Sequence, residues 1–192
     1  DYAQADICFL NALGIKRASI FGTHCGAAIA VEIAASFPEA VDKLVLCSVP
    51  SFAPGMREKC INSYHFSPVE IKEDGSHLAS RYWQPALKAG FRLGLQDRHL
   101  KLVAAAMASG GAYHGEQAFF RYDEEVRLPL IKSPTLIISP VEDILHQRLD
   151  IVSSLVSQCR TKIIQEAGNN IALEKPEELA QAILDFLENP DF

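Results

Sequence analysis

The sequence lacks a long hydrophobic run and lacks an excess of positive charge. No apolar segment approaches the ~20 residues that a membrane-spanning helix needs. The 192 residues include 18 Lys and Arg against 24 Asp and Glu, a formal net charge of −6. Nucleic acids and anionic membranes attract clustered Lys and Arg. We therefore expect neither nucleic acid nor a membrane as a partner.

Cysteine patterns typical of disulfides or zinc sites are also missing. The five cysteines are Cys8, Cys25, Cys47, Cys60 and Cys159. Their number is odd, and their spacing fits no zinc or C-x-x-C motif. The pattern favours buried or half-buried free thiols in a reducing compartment. The first residues show no basic and apolar leader. We expect a cytoplasmic protein with no metal and no cofactor.

Residues 17–50 form the most informative stretch of the chain. A short β-prone run, RASIFG, enters a tight turn bounded by Gly22 and Gly26. An Ala-rich segment with helical spacing follows. It ends at Phe37, because the residue before a proline is disfavoured in the α region. A second apolar run returns at residues 44–47. The pattern predicts a strand, a turn, a helix and a strand, hence a right-handed parallel crossover.

The turn at residues 22–26 has the frame of a nucleophile elbow, G-x-S-x-G. Its glycines let the strand and the helix approach closely, and its central residue has a strained backbone. The central residue is His24, where serine is usual. Through this turn, the helix and the next strand, the sequence resembles the α/β-hydrolase fold superfamily. The resemblance implies an α/β fold, in which helices flank a parallel sheet and a helical cap covers the carboxyl ends of the strands.

The resemblance also implies that the chain begins inside the family domain. In that family a helix with the pattern LGI-K-R-A at its end leads into the elbow strand, as residues 2–18 do here. Several strands precede that helix in the family. The strand at residues 17–22 would then be an apolar sheet edge, which invites pairing. We expect either an upstream segment that covers it or homo-oligomers.

The rest of the chain divides into regions of different composition and hydrophobic pattern. Residues 1–50 and 128–192 match the core of the family domain, and residues 51–127 match its helical cap, within one domain overall. The cap region has helical patterns and no alternating strand-like run. The predicted cap helices are residues 68–73, 76–95, 98–108 and 115–122. The strand-like runs are residues 17–22, 43–48, 134–139 and 161–165. We expect these four runs to form one parallel sheet in sequential order.

The resemblance implies where a catalytic triad would lie. The family's acid position, in the loop after the third of these strands, falls on Asp143, with Glu142 as a neighbouring alternative. The histidine position, in the loop before L-E-x-P-E, falls on Asn169. One oxyanion-hole donor would be the backbone N–H of Cys25. The expected Ser, Asp and His therefore appear as His24, Asp143 and Asn169.

These residues are unsuited to the usual serine mechanism. That mechanism needs a hydroxyl, a base within about 3 Å of it and an acid that orients the base. Asn169 cannot accept a proton near neutral pH. Three alternatives remain open. His24 pairs directly with Asp143 as a general base, or the pocket binds a small molecule without turnover, or Cys25 is the nucleophile in a shifted register. The ungapped match of strand and helix argues against the shift.

Two further histidines are candidates for the pocket rim. They are His114, near the end of the cap region, and His146, three residues after Asp143; a surface position is the alternative for both. His65, His77 and His99 are expected at the surface. The resemblance implies a hydrolase-like enzyme that acts on a small, apolar ester, lactone or related carbonyl compound. The competing hypothesis is a noncatalytic small-molecule-binding protein on the same scaffold.

Overall fold

A computed structural model describes residues 1–53, 55–63, 70–84, 94–108 and 112–189. These residues form one four-stranded sheet in the order β1-β2-β3-β4, and each neighbouring pair is parallel. The strands are β1 (Ala18–Thr23), β2 (Val41–Cys47), β3 (Thr135–Pro140) and β4 (Cys159–Ile164). The predicted parallel α/β fold and sequential strand order are confirmed.

Helices cover both faces of the sheet. They are α1 (Tyr2–Ala12), α2 (Cys25–Ser36), α3 (Met56–Ser63), α4 (Ser76–Leu78, followed by a π-helix at Ala79–Trp83), α5 (Leu95–Ala108), α6 (Ala112–Arg121), α7 (Glu124–Arg127), α8 (Leu149–Leu155), α9 (Ile171–Glu174) and α10 (Pro176–Glu188). Short 3₁₀ helices lie at Pro38–Ala40, Leu128–Leu130 and Ile144–Arg148.

Alternate residues of the central strands face two separate parts of the core. On β2, Leu44 and Leu46 pack with buried residues of α1, α2 and α8. Val45 and Cys47 face the other way and pack with α9 and α10. Because a parallel sheet is covered on both faces, its central strands carry apolar residues at consecutive positions, here residues 44–47 of β2 and 136–138 of β3.

The strand β1 and the helix α2 approach each other closely at Gly22. A Cβ atom at this position would lie 2.3 Å from the carbonyl oxygen of Gly26. No side chain fits there, so the first glycine of the elbow is required by packing. The strand β1 has β2 as its hydrogen-bonded neighbour in the described sheet, and Phe21 on it is 44% exposed.

The cap region is helical in its described residues, which include no strand. Two of its details differ from the prediction. The helix α3 was not predicted, because residues 56–63 are largely polar and lack a clear apolar period. Residues 70–73 are not helical, although a helix was predicted at residues 68–73; the Gly75 N–H donates to the carbonyl of Lys72, and Gly75 has a φ of 71°. That turn precedes α4.

Other parts of the predicted cap helices lie outside the described residues. This applies to residues 68–69 and 85–93. At the end of the predicted 76–95 helix, Gly94 is not helical and Leu95 begins α5. The division into core and cap at residues 50 and 127 stays a prediction.

Candidate active site

His24 occupies the turn between β1 and α2. Its backbone has φ 49° and ψ −114°, which few non-glycine residues adopt. The strain follows from the geometry of the elbow, because the chain must reverse between Gly22 and Gly26 over a short distance. The next residue, Cys25, is exposed and begins the 12-residue helix α2. Its backbone N–H therefore lies at the positive end of the helix dipole.

Asp143 meets the His24 ring from the loop after β3. The Nε2 atom of His24 lies 2.9 Å from Oδ2 of Asp143. The other carboxylate oxygen, Oδ1, accepts a hydrogen bond of 3.0 Å from the Leu145 N–H. The Asp143 side chain is 2% exposed and the His24 side chain 29%. This is the contact that the first of the three alternatives requires, and the catalytic roles stay a prediction.

The carboxylate of Asp143 fixes the proton position on His24. Burial by itself would raise the pKa of Asp143, but the His24 ring, the Leu145 N–H and the nearby Ser48 hydroxyl together lower the pKa. The carboxylate is therefore ionised at neutral pH and can only accept hydrogen bonds. The Nε2 atom of His24 must donate to it. In the neutral ring the lone pair is then on Nδ1.

Thr23 was missed by the sequence analysis. Its Oγ1 atom lies 3.3 Å from Nδ1 of His24, and its side chain is exposed. One signal was available: Thr23 carries the hydroxyl of the elbow turn itself, one residue before the apex.

Thr23 also lies opposite Cys47 in the sheet. Burial raises the pKa of the Cys47 thiol to about 11, against smaller lowering effects of the Ser48 and Thr23 hydroxyls. Cys47 is thus a neutral thiol at physiological pH.

Asn169, at the family's histidine position, is exposed. Within the described part of the chain its side chain accepts a hydrogen bond of 2.6 Å from the Asn170 amide, and no hydrogen bond joins it to His24 or Asp143. The loop is held by Glu174, whose Oε2 accepts a hydrogen bond of 2.6 Å from the Gly168 N–H. The role of Asn169 stays a prediction.

The sequence indicates four other candidate residues for the site. Glu142 is exposed, and its backbone N–H donates to the carbonyl of Ala167, which joins the acid loop to the last loop. His146 is half-buried with Nδ1 2.8 Å from Oγ of Ser139. His114 is exposed on α6. Cys25 lines a cavity beside the turn.

A cavity of about 380 Å³ lies between α1, α2 and α6. Its wall is mostly apolar and includes Ala28, Ile29 and Phe119, and Cys25 lines it beside the elbow turn. His24 and His114 are not among its lining residues. At its polar side lies Glu32, which also lines the cavity.

Glu32 is held by several donors. Arg127 forms two hydrogen bonds to it, from Nε at 2.9 Å and from Nη2 at 3.1 Å, and the Tyr122 hydroxyl donates at 2.8 Å. Burial opposes the ionised form, but the Ser36, Tyr122 and Arg127 donors lower the pKa of Glu32. This network joins α2 to the segment that leads into β3, and so fixes one wall of the cavity.

The cysteines and the remaining histidines differ in their exposure to solvent. Cys47 is buried, and Cys60 and Cys159 are half-buried, but Cys8 and Cys25 are exposed. The expectation of buried or half-buried thiols is therefore wrong for two of the five. Cys8 lies on the solvent face of α1. His99 is exposed and His77 half-buried. His65 lies outside the described residues.

Neither a candidate metal site nor a candidate membrane-spanning helix lies in the described residues. No group of three or more His, Cys, Asp and Glu side chains in these ranges could hold a metal ion. Likewise, none of the helices described is long and apolar enough to cross a membrane.

Comparisons with known proteins identify structures with a similar fold. No protein-family model matches the chain, and no curated protein matches it. Solved structures do. A membrane phospholipase A, described as a novel bacterial virulence factor, has a TM-score of 0.74 at 24% identity, over 97% of this chain and 61% of its own length. An α/β-hydrolase enzyme from a Medee basin deep-sea metagenome library has a TM-score of 0.67 at 20% identity, over 99% and 72%.

An enol-lactonase from Burkholderia xenovorans LB400 is a third similar structure. Its TM-score is 0.68 at 18% identity, over 97% of this chain and 72% of its own length. The chain thus has the fold of these α/β hydrolases. It spans 61% of the length of the phospholipase A structure.

Proposed function

We propose that this protein is a hydrolase-like enzyme that acts on a small, apolar ester, lactone or related carbonyl compound through a nonstandard site. The single observation that carries the proposal is the 2.9 Å contact between His24 Nε2 and the buried carboxylate of Asp143. An imidazole oriented by a carboxylate is the arrangement of a general base.

The roles follow from the positions of the protons. Asp143 accepts from Nε2 and leaves Nδ1 of His24 as the basic nitrogen. In a hydrolysis, Nδ1 would accept the proton of the group that attacks the carbonyl carbon. Asp143 would stabilise the imidazolium that forms. The backbone N–H of Cys25, at the start of α2, would face the developing oxyanion. This mechanism requires no serine side chain at the turn.

The cavity beside Cys25 supports the proposed substrate class. Its volume of about 380 Å³ and its apolar wall suit a small hydrocarbon group. We place the apolar part of the substrate there and its carbonyl at the elbow turn. The enol-lactonase likeness makes a lactone a reasonable substrate to try, although at 18% identity it supports the fold alone.

Comparing His24→Gln with the parent tests the proposal, using p-nitrophenyl acetate, p-nitrophenyl butyrate and a γ-lactone as substrates. Removing a general base lowers kcat/KM by about 10²–10⁴. The control His99→Gln removes an exposed histidine of α5 and should leave kcat/KM unchanged. If the parent hydrolyses none of these substrates above the rate of His24→Gln, the proposed hydrolase activity is refuted for this class.

A noncatalytic binding protein is the second candidate. The observation that favours it is Asn169, which stands at the histidine position and hydrogen-bonds to Asn170. Under this hypothesis, an apolar fluorescent ligand would bind with the same affinity in the parent and in His24→Gln, while the parent would show no hydrolysis. Substitution Ala28→Trp, in the cavity wall, would weaken that binding.

A further inference from the structure

The basic nitrogen of His24 faces a hydroxyl. Nδ1 lies 3.3 Å from Oγ1 of Thr23, while Nε2 lies 2.9 Å from Oδ2 of Asp143. The Thr23 hydroxyl, the His24 imidazole and the Asp143 carboxylate are thus each within contact of the next. The hydroxyl and the imidazole come from residues 23 and 24, which are not the usual positions of the nucleophile and the base in this fold. Thr23 is exposed, so a substrate could reach its hydroxyl.

We propose that Thr23 is the nucleophile of this site, with His24 as its base and Asp143 as the group that orients the base. The inference rests on the proposed function and names the attacking group that it left open. The distance of 3.3 Å is slightly long for a nucleophile and its base, which is common before substrate binds.

The steps balance without any co-reactant other than water. Oγ1 of Thr23 forms a bond to the carbonyl carbon, the carbonyl π electrons move to oxygen, and the hydroxyl proton moves to Nδ1. The oxyanion then re-forms the carbonyl, and the bond to the leaving alkoxide breaks as that oxygen takes the proton from Nδ1. Water next attacks the threonine ester, gives a proton to Nδ1, and the carboxylic acid leaves as the Thr23 oxygen takes that proton back.

The neighbouring thiols are weaker candidates for this role. Cys47 lies beside Thr23 but is fully buried. Cys25 is exposed and lines the cavity, whereas Oγ1 of Thr23 lies 3.3 Å from Nδ1 of His24. That contact matters, because a hydroxyl is a poor nucleophile at its free pKa and needs a base beside it.

The test uses Thr23→Val, which removes the hydroxyl and keeps the shape, and Thr23→Ser, which keeps the hydroxyl. Each protein reacts with p-nitrophenyl acetate, is acid-quenched and is analysed by fragment-ion mass spectrometry. We expect one acetyl group on Thr23 in the parent and one at the same position in Thr23→Ser. Thr23→Val should lose the adduct, the pre-steady-state burst and about 100-fold or more in kcat, while its thermal unfolding stays cooperative.

The outcomes separate this inference from the proposed function. If Thr23→Val keeps full turnover while His24→Gln loses it, water is the attacking group and the threonine inference is overturned. An acetyl group on Cys25 that accounts for the burst also overturns it. If His24→Gln keeps parental kcat/KM, the proposed function itself fails. In the control His99→Gln, an unchanged burst would show that acetylation of this exposed histidine does not produce the burst.

Discussion

The Nη2 atom of Arg57, on α3, lies 3.0 Å from Oε2 of Glu124, a residue of α7 with no exposed surface. The contact joins α3 to α7, and both residues lie within the predicted cap region. The second carboxylate oxygen of Glu124 is buried and has no hydrogen-bond partner among the described residues. Burial therefore outweighs Arg57 and raises the pKa of Glu124 to about 7.

This carboxyl group should make stability depend on pH. Its pKa is raised in the folded chain, so folding favours the protonated form. The free energy of unfolding should fall as pH rises from about 4.5 to about 7, by at most about 3 kcal/mol from this group. Glu124→Gln should remove that decline, so the variant gains stability relative to the parent between pH 5 and pH 8. Urea unfolding at the two pH values measures this.

A matched control is Glu177→Gln, which removes an exposed charge from the first turn of α10. It should change stability by similar amounts at both pH values. An equal effect of Glu124→Gln at pH 5 and pH 8 would show that the Glu124 carboxyl is not held in this buried environment.

Asp143 should act in the opposite direction. Its pKa is lowered in the folded chain, so its contribution to stability is present above the pKa of the unfolded chain, about 3.9, and is lost as pH falls through the lower folded value. Asp143→Asn should remove part of the acid-side loss of stability. It should also lower kcat/KM by about tenfold or more, because an amide no longer fixes the His24 proton on Nε2. Unchanged pH profiles for both quantities would contradict this role.

Gly22 and Gly26 offer a direct test of the elbow. Gly22→Ala should destabilise the protein by about 1–3 kcal/mol or more, because its Cβ would lie 2.3 Å from the Gly26 carbonyl oxygen. Gly26→Ala is the natural control, since its Cβ would meet nothing within 4 Å and helices favour alanine over glycine. Thermal unfolding of both variants measures the difference. Equal effects would mean that β1 and α2 are not this close.

Covalent reagents should distinguish the residues of the turn. A serine-directed fluorophosphonate should leave no adduct on residue 24, because His24 carries no hydroxyl. Iodoacetamide should label the exposed Cys25 well before the buried Cys47. We expect Cys25→Ser to keep hydrolytic activity. Its loss together with labelling of Cys25 would favour the cysteine mechanism instead, and peptide mapping identifies each adduct.

In the described sheet β1 pairs on one side with β2, and we propose that its other side pairs with a second copy of the chain or with another segment. Phe21 is 44% exposed on this strand, and Arg17 at its start gives little protection against edge pairing. Light scattering should detect oligomers, and Phe21→Lys should reduce them. A monomer with fast hydrogen exchange at residues 18–21 and fully cooperative unfolding would contradict the prediction.

The strand order and the unit of β1, turn, α2 and β2 were within reach of the sequence alone. The glycine spacing, the Ala-rich helix and the two apolar runs around them are local signals, and each depends on residues close together in the chain. The same local logic failed at α3, because its residues 56–63 are polar and are helical in the context of contacts such as that of Arg57 with Glu124.

Only the tertiary structure decided which groups meet. His24 and Asp143 are 119 residues apart, and a resemblance could align them but not measure their contact. Thr23 became a candidate because the His24 ring turns Nδ1 toward it, which depends on the position of the Asp143 carboxylate. The burial of Glu124 is similar: the run Asp123–Glu125 looks like a solvated acidic turn, and packing of α7 against the core removes its middle carboxylate from water. The spacing of apolar residues in the sequence indicates which face of a helix or strand is buried and where the turns lie. Which side chains meet depends on how those faces pack in the folded protein.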